Sequence, residues 1–246
     1  MKVNKINIFG VNVDNISYDK FLSIISESVE NKIKVKISYA NAHTLVKICS
    51  DIELKKLIDK FDVIHPDGIG VFLASKFLYG KTGLKEKLIG SDFYYSLSKK
   101  GIEKNWKFYF FGHDIATLNK IKTNYPDLNI AGFNEGYHYQ TEKVISGINN
   151  SKPDILIVGL GFPLQEQWIS DNLSKINSNV ILAVGGGIKI FSGTKVRGPA
   201  TFQKLGLEWL MRLLYEPGRL WKRYLLGIPI FTFNVIKSKI KLIFTK

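Results

Sequence analysis

The sequence predicts an α/β fold, in which a mainly parallel sheet carries helices on both faces and is followed by a C-terminal helical, basic appendage. Up to about residue 194, short apolar runs alternate with longer amphipathic stretches. This alternation is typical of βαβ units, whose crossover helices make consecutive strands parallel. From about residue 195 the pattern changes to amphipathic helical stretches, which contain all four arginines of the chain. We therefore expect one domain over residues 1–194 and the appendage over residues 195–246.

Each element of the main domain follows from its local pattern. The first ten residues predict a short strand. They lack an apolar core of signal-peptide length, so we expect no signal peptide. Five short apolar runs bounded by Gly, Asn, Asp or Pro predict buried strands: Val35–Tyr39, Val63–His65, Lys107–Gly112, Ile155–Gly159 and Val180–Val184. Amphipathic stretches between them predict the helices: Tyr18–Val29, Ala42–Lys60, Gly68–Tyr79, Ser91–Lys100, Ile115–Asn124 and Leu164–Lys175. Ligands of such sheets bind beyond the carboxyl ends of the strands.

The appendage is predicted to contain two helices and to hold phosphate. Gln203–Tyr215 has helical spacing, and Pro217 ends that helix or begins the next, which runs past Tyr224. Residues 195–246 contain 11 basic and 2 acidic residues, a large share of the net charge of +14. Arginine suits bidentate contact with phosphate and tolerates partial burial. All four arginines of the chain lie here: Arg197, Arg212, Arg219 and Arg223.

The same segment has the composition of a membrane interface. Trp209, Trp221 and Tyr224 lie among arginines and precede an apolar run and spaced lysines. The alternative is a helical hairpin packed on the main domain with a basic solvated face. The longest apolar run, Tyr224–Ile236, is well short of the roughly 20 residues that a membrane-spanning helix needs, so we expect no span. The single cysteine, Cys49, permits no disulfide within the chain and fits a reducing compartment.

Two strand ends carry candidate catalytic residues. Asp67 follows the predicted strand Val63–His65, where its carboxylate is either a helix N-cap or a general base in the cleft. Asn41 follows the strand Val35–Tyr39, and its side chain either caps a helix or faces a ligand.

Glycine-rich turns follow two further strands. Gly159 and Gly161 precede Pro163 and a helix that begins near Gln165 and Glu166, an arrangement that lets a diphosphate approach a helix N-terminus. A plain tight turn is the alternative, and Leu164 occupies the place of the third glycine of a dinucleotide fingerprint. Gly185, Gly186 and the glycine after them are better explained by close approach of a ligand than by packing.

The sequence contains neither Asp-x-Asp nor a Cys/His cluster with metal-ligand spacing. We therefore expect no metal and no cofactor. A departing diphosphate would be stabilised by arginines, lysines or backbone amides.

Three motifs resemble the WecG/TagA/CpsF family of glycosyltransferases, and the resemblance extends from about Ile8 to Tyr224. They are Pro66-Asp67-Gly68; Gly159-Leu160-Gly161-x-Pro163-x-Gln165-Glu166 with Trp168; and Leu207-Glu208-Trp209-x-x-Arg212-Leu213-x-x-Glu216-Pro217 with Arg219 and Arg223-Tyr224. The resemblance implies a Rossmann-like catalytic domain and an appendage that docks on the membrane and completes the active site.

The resemblance also implies roles for individual residues. Asp67 would be the general base and Asn41 would lie near the reacting groups. Two positions depart from the family pattern: Tyr39 replaces a threonine and Gly198 an alanine. The nucleotide-sugar site would comprise Tyr39, Gly112, Gly159, Gly161, Pro163, Gln165, Glu166, Gly185 and Gly186. The diphosphates of donor or lipid would contact Arg197, Arg212, Arg219 and Arg223.

The reaction implied by the resemblance is an inverting, metal-independent transfer from a UDP-sugar to an acceptor on undecaprenyl diphosphate. The product would be a bacterial surface polysaccharide such as O-antigen, capsule or teichoic acid, and the sugar a hexose, N-acetylhexosamine or uronic acid. The enzyme would be cytoplasmic and peripheral on the inner face of the cell membrane. Apolar edges of the appendage are compatible with a homo-oligomer.

Two other classes of function share some of these features. An NAD-type Rossmann oxidoreductase shares the βαβ rhythm, but the third glycine and the acidic residue about 20 positions further on are missing. A nucleic-acid-binding module would explain the net charge of +14. That charge lies beside an apolar run, however, which suits a bilayer better than a nucleic acid.

Overall fold

The computed structural model describes residues 3–195 and 197–244, and their side chains except those of Ala200 and Lys204. Met1 and Lys2 of the predicted first strand, Val196 of the basic segment and the last two residues lie outside this part. A two-stranded antiparallel hairpin precedes a six-stranded parallel sheet. The strands are β1 (Lys5–Ile8), β2 (Val11–Asp14), β3 (Val35–Ala40), β4 (Val63–Pro66), β5 (Phe108–Gly112), β6 (Ile130–Asn134), β7 (Ile155–Gly159) and β8 (Val180–Ala183).

The order of strands in the large sheet brings four strand ends together. The order is β4-β3-β8-β7-β5-β6. The central pair, β8 and β7, consists of the last two strands in the sequence, and the earlier strands lie on either side of it. Tyr39 is opposite His65 in the β3–β4 register, and Val158 is opposite Ala183 in the β7–β8 register. The loops that follow β3, β4, β7 and β8 therefore meet at one edge, where open α/β sheets bind their ligands.

Helices surround the sheet and form the appendage. They are α1 (Tyr18–Glu30), α2 (Ala42–Cys49), α3 (Ile52–Ile58), α4 (Ile69–Tyr79), α5 (Gly90–Glu103), α6 (Ile115–Asn124), α7 (Thr141–Ser151), α8 (Leu164–Asn172), α9 (Ile188–Phe191), α10 (Ala200–Lys204), α11 (Glu208–Tyr215), α12 (Pro217–Trp221) and α13 (Gly227–Phe244). Short 3-10 turns cover Gly80–Thr82 and Gly185–Gly187, and a π-helical turn, Lys222–Leu226, joins α12 to α13.

Both faces of the large sheet are covered, which confirms the predicted fold class. Successive residues of β5 enter opposite layers: Phe108 and Phe110 pack in one apolar cluster, and Tyr109 and Phe111 in the other. This alternation is the two-residue period of a strand buried on both sides. Helices α1, α5, α6 and α9 supply the first cluster, while α2, α3, α4, α7, α8 and α13 supply the second.

The hairpin closes one edge of the sheet. Buried Asp14, at the end of β2, accepts a hydrogen bond at 2.7 Å from the backbone amide of Ile64 in the edge strand β4. Its other partner is the Lys5 ammonium at 3.3 Å. An edge strand leaves N–H groups unpaired, and here a carboxylate accepts one of them.

Two predicted helices are each divided, and four elements were not predicted. The stretch Ala42–Lys60 forms α2 and α3, because Asp51 caps the second helix by accepting from the amides of Glu53 and Leu54 at 2.9 and 3.1 Å. The stretch Gln203–Tyr215 forms α10 and α11, divided at Gly206, whose φ of 73° is incompatible with a continuing helix. Strands β2 and β6 and helices α7 and α9 had no counterpart in the sequence prediction.

The appendage packs directly on the main domain. Phe231 and Val235 of α13 are buried in the apolar cluster that α2 and α4 share. Phe231 meets Phe9 edge to face with ring centroids 5.5 Å apart, and Lys239 donates to the carbonyl of Leu78 at 3.0 Å. None of the helices in the described part of the chain is both long and apolar enough to cross a membrane. The division at residue 194 stays a prediction.

Candidate active site

A cleft of about 800 Å³ lies between the carboxyl edge of the sheet and the appendage. One wall comes from the loops after β3, β4, β7 and β8, and from α4. The opposite wall comes from α11, α12, the π-helical turn and α13. Its size and position are those of a site for a nucleotide-sized ligand.

Asp67 projects from the end of β4 into this cleft and is anchored on both its backbone and its side chain. Its amide donates to the carbonyl of Ala40 at 2.9 Å, and its Oδ1 accepts from the amide of Gly90 at 2.9 Å. Gly90 is the first residue of α5, so the carboxylate lies at the positive end of a 14-residue helix. Asp67 therefore does not cap its own helix, α4; it reaches across to another.

The charge state of Asp67 is set by opposing effects. Burial raises the pKa of the carboxyl group, whereas the Gly90 amide, then His65, Lys195 and Arg212, lower it, and the net pKa is below its usual 3.8. The carboxylate is consequently ionised at neutral pH. Ionised and held in a cleft, it is in the form that a general base requires.

His65 is a packing residue behind Asp67. It is buried, its Nδ1 lies 3.1 Å from the carbonyl oxygen of Pro66, and its ring packs on Phe21 with centroids 4.8 Å apart. Burial lowers its pKa, so the ring is neutral. It is not part of the cleft wall.

Asn41 caps α2 and also lines the cleft, so the two interpretations of this residue are compatible. Its Oδ1 accepts from the amide of Thr44 at 3.0 Å, and the Thr44 hydroxyl accepts from the Asn41 amide at 2.9 Å. Tyr39 lines the cleft as well. Burial, followed by the charge of Glu166, raises the pKa of Tyr39, so its phenol stays neutral.

The glycine turns after β7 and β8 lie side by side in the cleft wall. Gly161 and Gly185 have φ values of 87° and 51°, and a Cβ on Gly185 would come within 2.8 Å of the Tyr39 hydroxyl. No atom lies within 4 Å of where a Cβ of Gly186 would be, so its backbone is open to the cleft. Gly159 completes this wall.

Gln165 joins the two turns from beneath. Its Oε1 accepts from the amides of Gly161 and Gly185 at 3.2 and 2.8 Å. The two glycines lie in the turns that follow different strands, β7 and β8. The side chain is fully buried and is not in the cleft wall. Its position is thus that of a brace for the turns.

Three more of the predicted nucleotide-sugar residues lie outside the cleft wall: Gly112, Pro163 and Glu166. A Cβ on Gly112 would be 2.6 Å from the carbonyl carbon of Gly159, so Gly112 lets the two strand ends approach. The Glu166 carboxyl accepts from the Ser38 hydroxyl at 2.8 Å and from the Gln165 amide at 2.9 Å. Within the described residues its Oε2 has no partner, and burial raises its pKa.

The free energy of unfolding of Glu166→Gln, relative to that of the wild type, should increase as pH rises. A carboxyl group with a raised folded-state pKa binds its proton more tightly when folded, so the free energy of unfolding falls as pH rises from the usual 4.5 to the raised value. Glutamine is neutral throughout. Urea unfolding at a series of pH values measures the difference, and a difference that does not change with pH would contradict it.

The appendage brings three of the four predicted arginines to the cleft. Arg212 lies with its Nη2 3.7 Å from Glu208, and Arg219 is largely exposed and paired with Glu216. Arg223 packs over the ring of Tyr224 at 5.6 Å and has no carboxylate partner in the described residues. The fourth, Arg197, is not in the cleft wall.

Arg197 is instead a link between the appendage and α5. Its guanidinium donates to Asp92, in the first turn of α5, and to Glu208 of α11 at 3.1 Å. Asp92 is 105 residues away in the sequence, and Glu208 lies on another element. The sequence therefore did not reveal these partners, and the prediction of a phosphate ligand rested on the basic character of Arg197. We therefore assign it to the scaffold of the cleft.

Several cleft residues were not among the predicted ones. His43, in the first turn of α2, has its pKa lowered to about 4 by burial and by Arg223 and Lys47. Lys195 and Lys189 add positive charge to the wall. The signal that was available for Lys195 was its place beside Arg197 at the start of the basic segment.

No group of three or more His, Cys, Asp or Glu side chains is placed to share a metal ion in residues 3–195 and 197–244.

Comparison with known proteins agrees with this arrangement. Residues 6–243 match the glycosyl transferase WecG/TagA/CpsF family. The chain is also similar to proteins named N-acetylglucosaminyldiphosphoundecaprenol N-acetyl-β-D-mannosaminyltransferase. One from Bacillus spizizenii is 37% identical over 74% of this chain and 71% of its own length. Those from Bacillus subtilis and Staphylococcus aureus are each 30% identical, over 95% and 97% of this chain and 90% and 94% of their own lengths.

The match covers both the sheet and the appendage, and it includes all three motifs that carried the resemblance. It favours a glycosyltransferase over the oxidoreductase and the nucleic-acid-binding module. The chain belongs to the WecG/TagA/CpsF family of glycosyltransferases.

Proposed function

We propose that this enzyme transfers a sugar from a UDP-sugar to a sugar carried on a polyprenyl diphosphate, with inversion and without a metal. The observation that carries the proposal is that one wall of the cleft holds a carboxylate and the opposite wall holds arginines. Asp67 lies on the strand-end wall, and Arg212 and Arg223 lie on the appendage wall. An anchored carboxylate facing cations is what a direct displacement with a diphosphate leaving group needs.

The proposed reaction is a single displacement. The Asp67 carboxylate takes the proton of the acceptor hydroxyl while that oxygen forms a bond to the anomeric carbon of the donor. The bond from that carbon to the diphosphate oxygen breaks on the opposite face, and the electron pair leaves with UDP. Negative charge therefore grows on the diphosphate, where positively charged side chains stabilise it.

The donor is proposed to lie along the glycine turns. Gly161 and Gly186 leave space where side chains would otherwise stand, so the nucleotide or its diphosphate can approach the backbone. The relatives' names specify N-acetylmannosamine as the sugar. For this chain hexoses, N-acetylhexosamines and uronic acids all belong in the test, because the Tyr39 ring occupies part of the wall where the sugar would lie.

The acceptor is proposed to arrive from a membrane surface, on the inner face of the cell membrane. Leu73 and Phe77 of α4 line the cleft and are about half exposed. An apolar wall that continues into exposed apolar surface suits an isoprenoid chain with its diphosphate at the arginines. Lysines on α13 add attraction to anionic lipid. Exposed large apolar side chains on the appendage are Leu205, Leu214, Tyr215, Trp221, Leu225, Leu226, Ile230, Phe233, Ile236, Ile240, Leu242, Ile243 and Phe244.

Phe233→Glu should weaken binding to anionic vesicles by about tenfold or more. Phe233 is 65% exposed on α13, and burying such a side chain contributes about 1.5–3 kcal/mol, where 1.4 kcal/mol is a factor of ten. Flotation with phosphatidylglycerol-containing vesicles measures the effect. Ile52→Glu on α3, where Ile52 is 63% exposed, is the matched control. Equal binding by the two variants would contradict the proposed surface.

The reaction itself is tested by offering a panel of UDP-sugars with a synthetic lipid-diphosphate-linked N-acetylglucosamine, in EDTA. We expect transfer from one donor class, with the anomeric configuration of the product opposite to that of the donor. Transfer that requires an added divalent cation, or retention of configuration, would contradict the mechanism. Failure of every donor in the panel would contradict the proposed substrates.

A further inference from the structure

Lys195 is held in the cleft at the junction between the main domain and the appendage. Its amide donates to the carbonyl of Lys189 at 2.9 Å, which fixes the backbone after α9. Its side chain lines the cleft, with Nζ 3.5 Å from the hydroxyl of Ser91. Ser91 follows Gly90, whose amide holds the Asp67 carboxylate. Lys195 and Asp67 therefore rest on two consecutive residues of the first turn of α5.

Lys195 differs from most of the other cations here in having no ion-pair partner within 4 Å among the described residues. The charged groups that act on it lie just after β4 and on the appendage. Asp67 and Glu208 are the negative ones, and Arg212 and Arg223 the positive ones. Burial, and next Arg212, lower the pKa of Lys195 to about 7. A desolvated ammonium without a counter-ion is costly, and a bound anion would remove that cost.

We propose that Lys195 binds the diphosphate of the nucleotide donor, a role that rests on the proposed function. Lys195 lines the same cleft as Asp67, so a donor bound between them can meet the base on one side and this cation at its diphosphate, whereas Arg219 is mostly exposed and paired with Glu216. As the leaving diphosphate gains charge, the ammonium stabilises it directly. Lys195 is thus a catalytic residue of the transfer.

The linkage between this lysine and the donor has a definite sign. At pH 8, a lysine of pKa about 7 carries its proton in only about one molecule in ten. A diphosphate at hydrogen-bonding distance favours the charged form and raises that pKa. UDP itself is almost fully ionised at pH 8, since the last phosphate ionisation is near pH 6. Binding of UDP should therefore take up most of one proton from solution, and the proton would reside on Lys195.

Calorimetric titration of UDP into the full-length protein at pH 8, in Tris and in HEPES, measures this uptake from the difference in heats. We expect the wild type to take up most of a proton per UDP. Lys195→Arg keeps the charge and cannot lose it, so it should bind UDP within about threefold of the wild type and take up almost no proton. Lys195→Gln should weaken UDP binding about tenfold or more. Lys56→Arg, on an exposed lysine of α3 that pairs with Glu53 and lies outside the cleft wall, should leave the uptake unchanged.

Undiminished uptake in Lys195→Arg, or wild-type affinity in Lys195→Gln, would overturn the assignment of Lys195 while leaving the proposed donor intact. Absence of UDP binding by the wild type would overturn both, and the loss would then be traced to the donor. Circular dichroism melts establish that each variant is folded.

Discussion

Asp67→Asn should lower the rate of sugar transfer by roughly 10²–10⁴-fold, which is the usual contribution of a general base. The asparagine Oδ1 can still accept from the Gly90 amide, so the loop and α5 should keep their places. What is lost is the ability to take the proton from the acceptor hydroxyl. The loss should therefore appear in kcat, with UDP affinity changed little, and steady-state rates with the donor found in the panel measure it.

The matched control is Asp171→Asn, an exposed carboxylate on α8 whose partner is the amide of Gln167. It should transfer at the wild-type rate. If Asp67→Asn transfers as fast as this control, Asp67 is not the base. If both variants fold but only Asp67→Asn loses UDP binding, the carboxylate acts on the donor and the proposed role is wrong.

Gln165→Met should destabilise the fold by roughly 1–4 kcal/mol, because the buried amide of Gly185 loses its acceptor, which costs about 1–3 kcal/mol, and the part-buried amide of Gly161 loses the same acceptor. The donors are the amides of Gly161 and Gly185, and this one side chain accepts from both. Methionine has a similar length and fills the volume, so a cavity contributes little. Urea unfolding measures the free energy, and the midpoint should fall.

Gln167→Met is the control for this substitution. Gln167 lies two residues further along the same helix, is exposed, and donates a hydrogen bond from its side chain to Asp171. It should change the unfolding midpoint very little. Equal midpoints for the two variants would show that the glycine turns do not depend on Gln165. A large loss in Gln165→Met should be accompanied by weaker UDP binding, since the turns line the cleft.

The sheet was predictable from sequence wherever a strand is buried on both faces. Most of the predicted strands are largely apolar runs, and β5 shows why, since its alternate residues pack in opposite clusters. The exception is Val35–Tyr39, which contains Lys36 and Ser38. Strand β6 has no such signal, because all five of its residues are only partly buried. The break at Asp51 was missed for a different reason, in that the apolar spacing continues across it and only the side-chain hydrogen bonds reveal the cap.

The candidate site was predictable as a place but only partly as a set of contacts. Glycine turns and an acidic residue at strand ends indicated the cleft, and the cleft walls contain Asp67 and Gly186. The resemblance implied that Gln165 lies at the nucleotide-sugar site, yet neither the motif nor its spacing says on which side of the turns the side chain lies. Arg197 was predicted to hold phosphate, but its partner Asp92 is 105 residues away.

That bridge through Arg197 has a consequence for exchanging parts between family members. The Arg197 guanidinium donates hydrogen bonds to Asp92 of the main domain and to Glu208 of the appendage. Glu208 also forms an ion pair with Arg212 at the cleft. A transplanted appendage would therefore work only if it arrived with a matching set of charges, however well its apolar face fitted. In a hybrid enzyme, Asp92, Arg197, Glu208 and Arg212 should therefore be transferred together as one set.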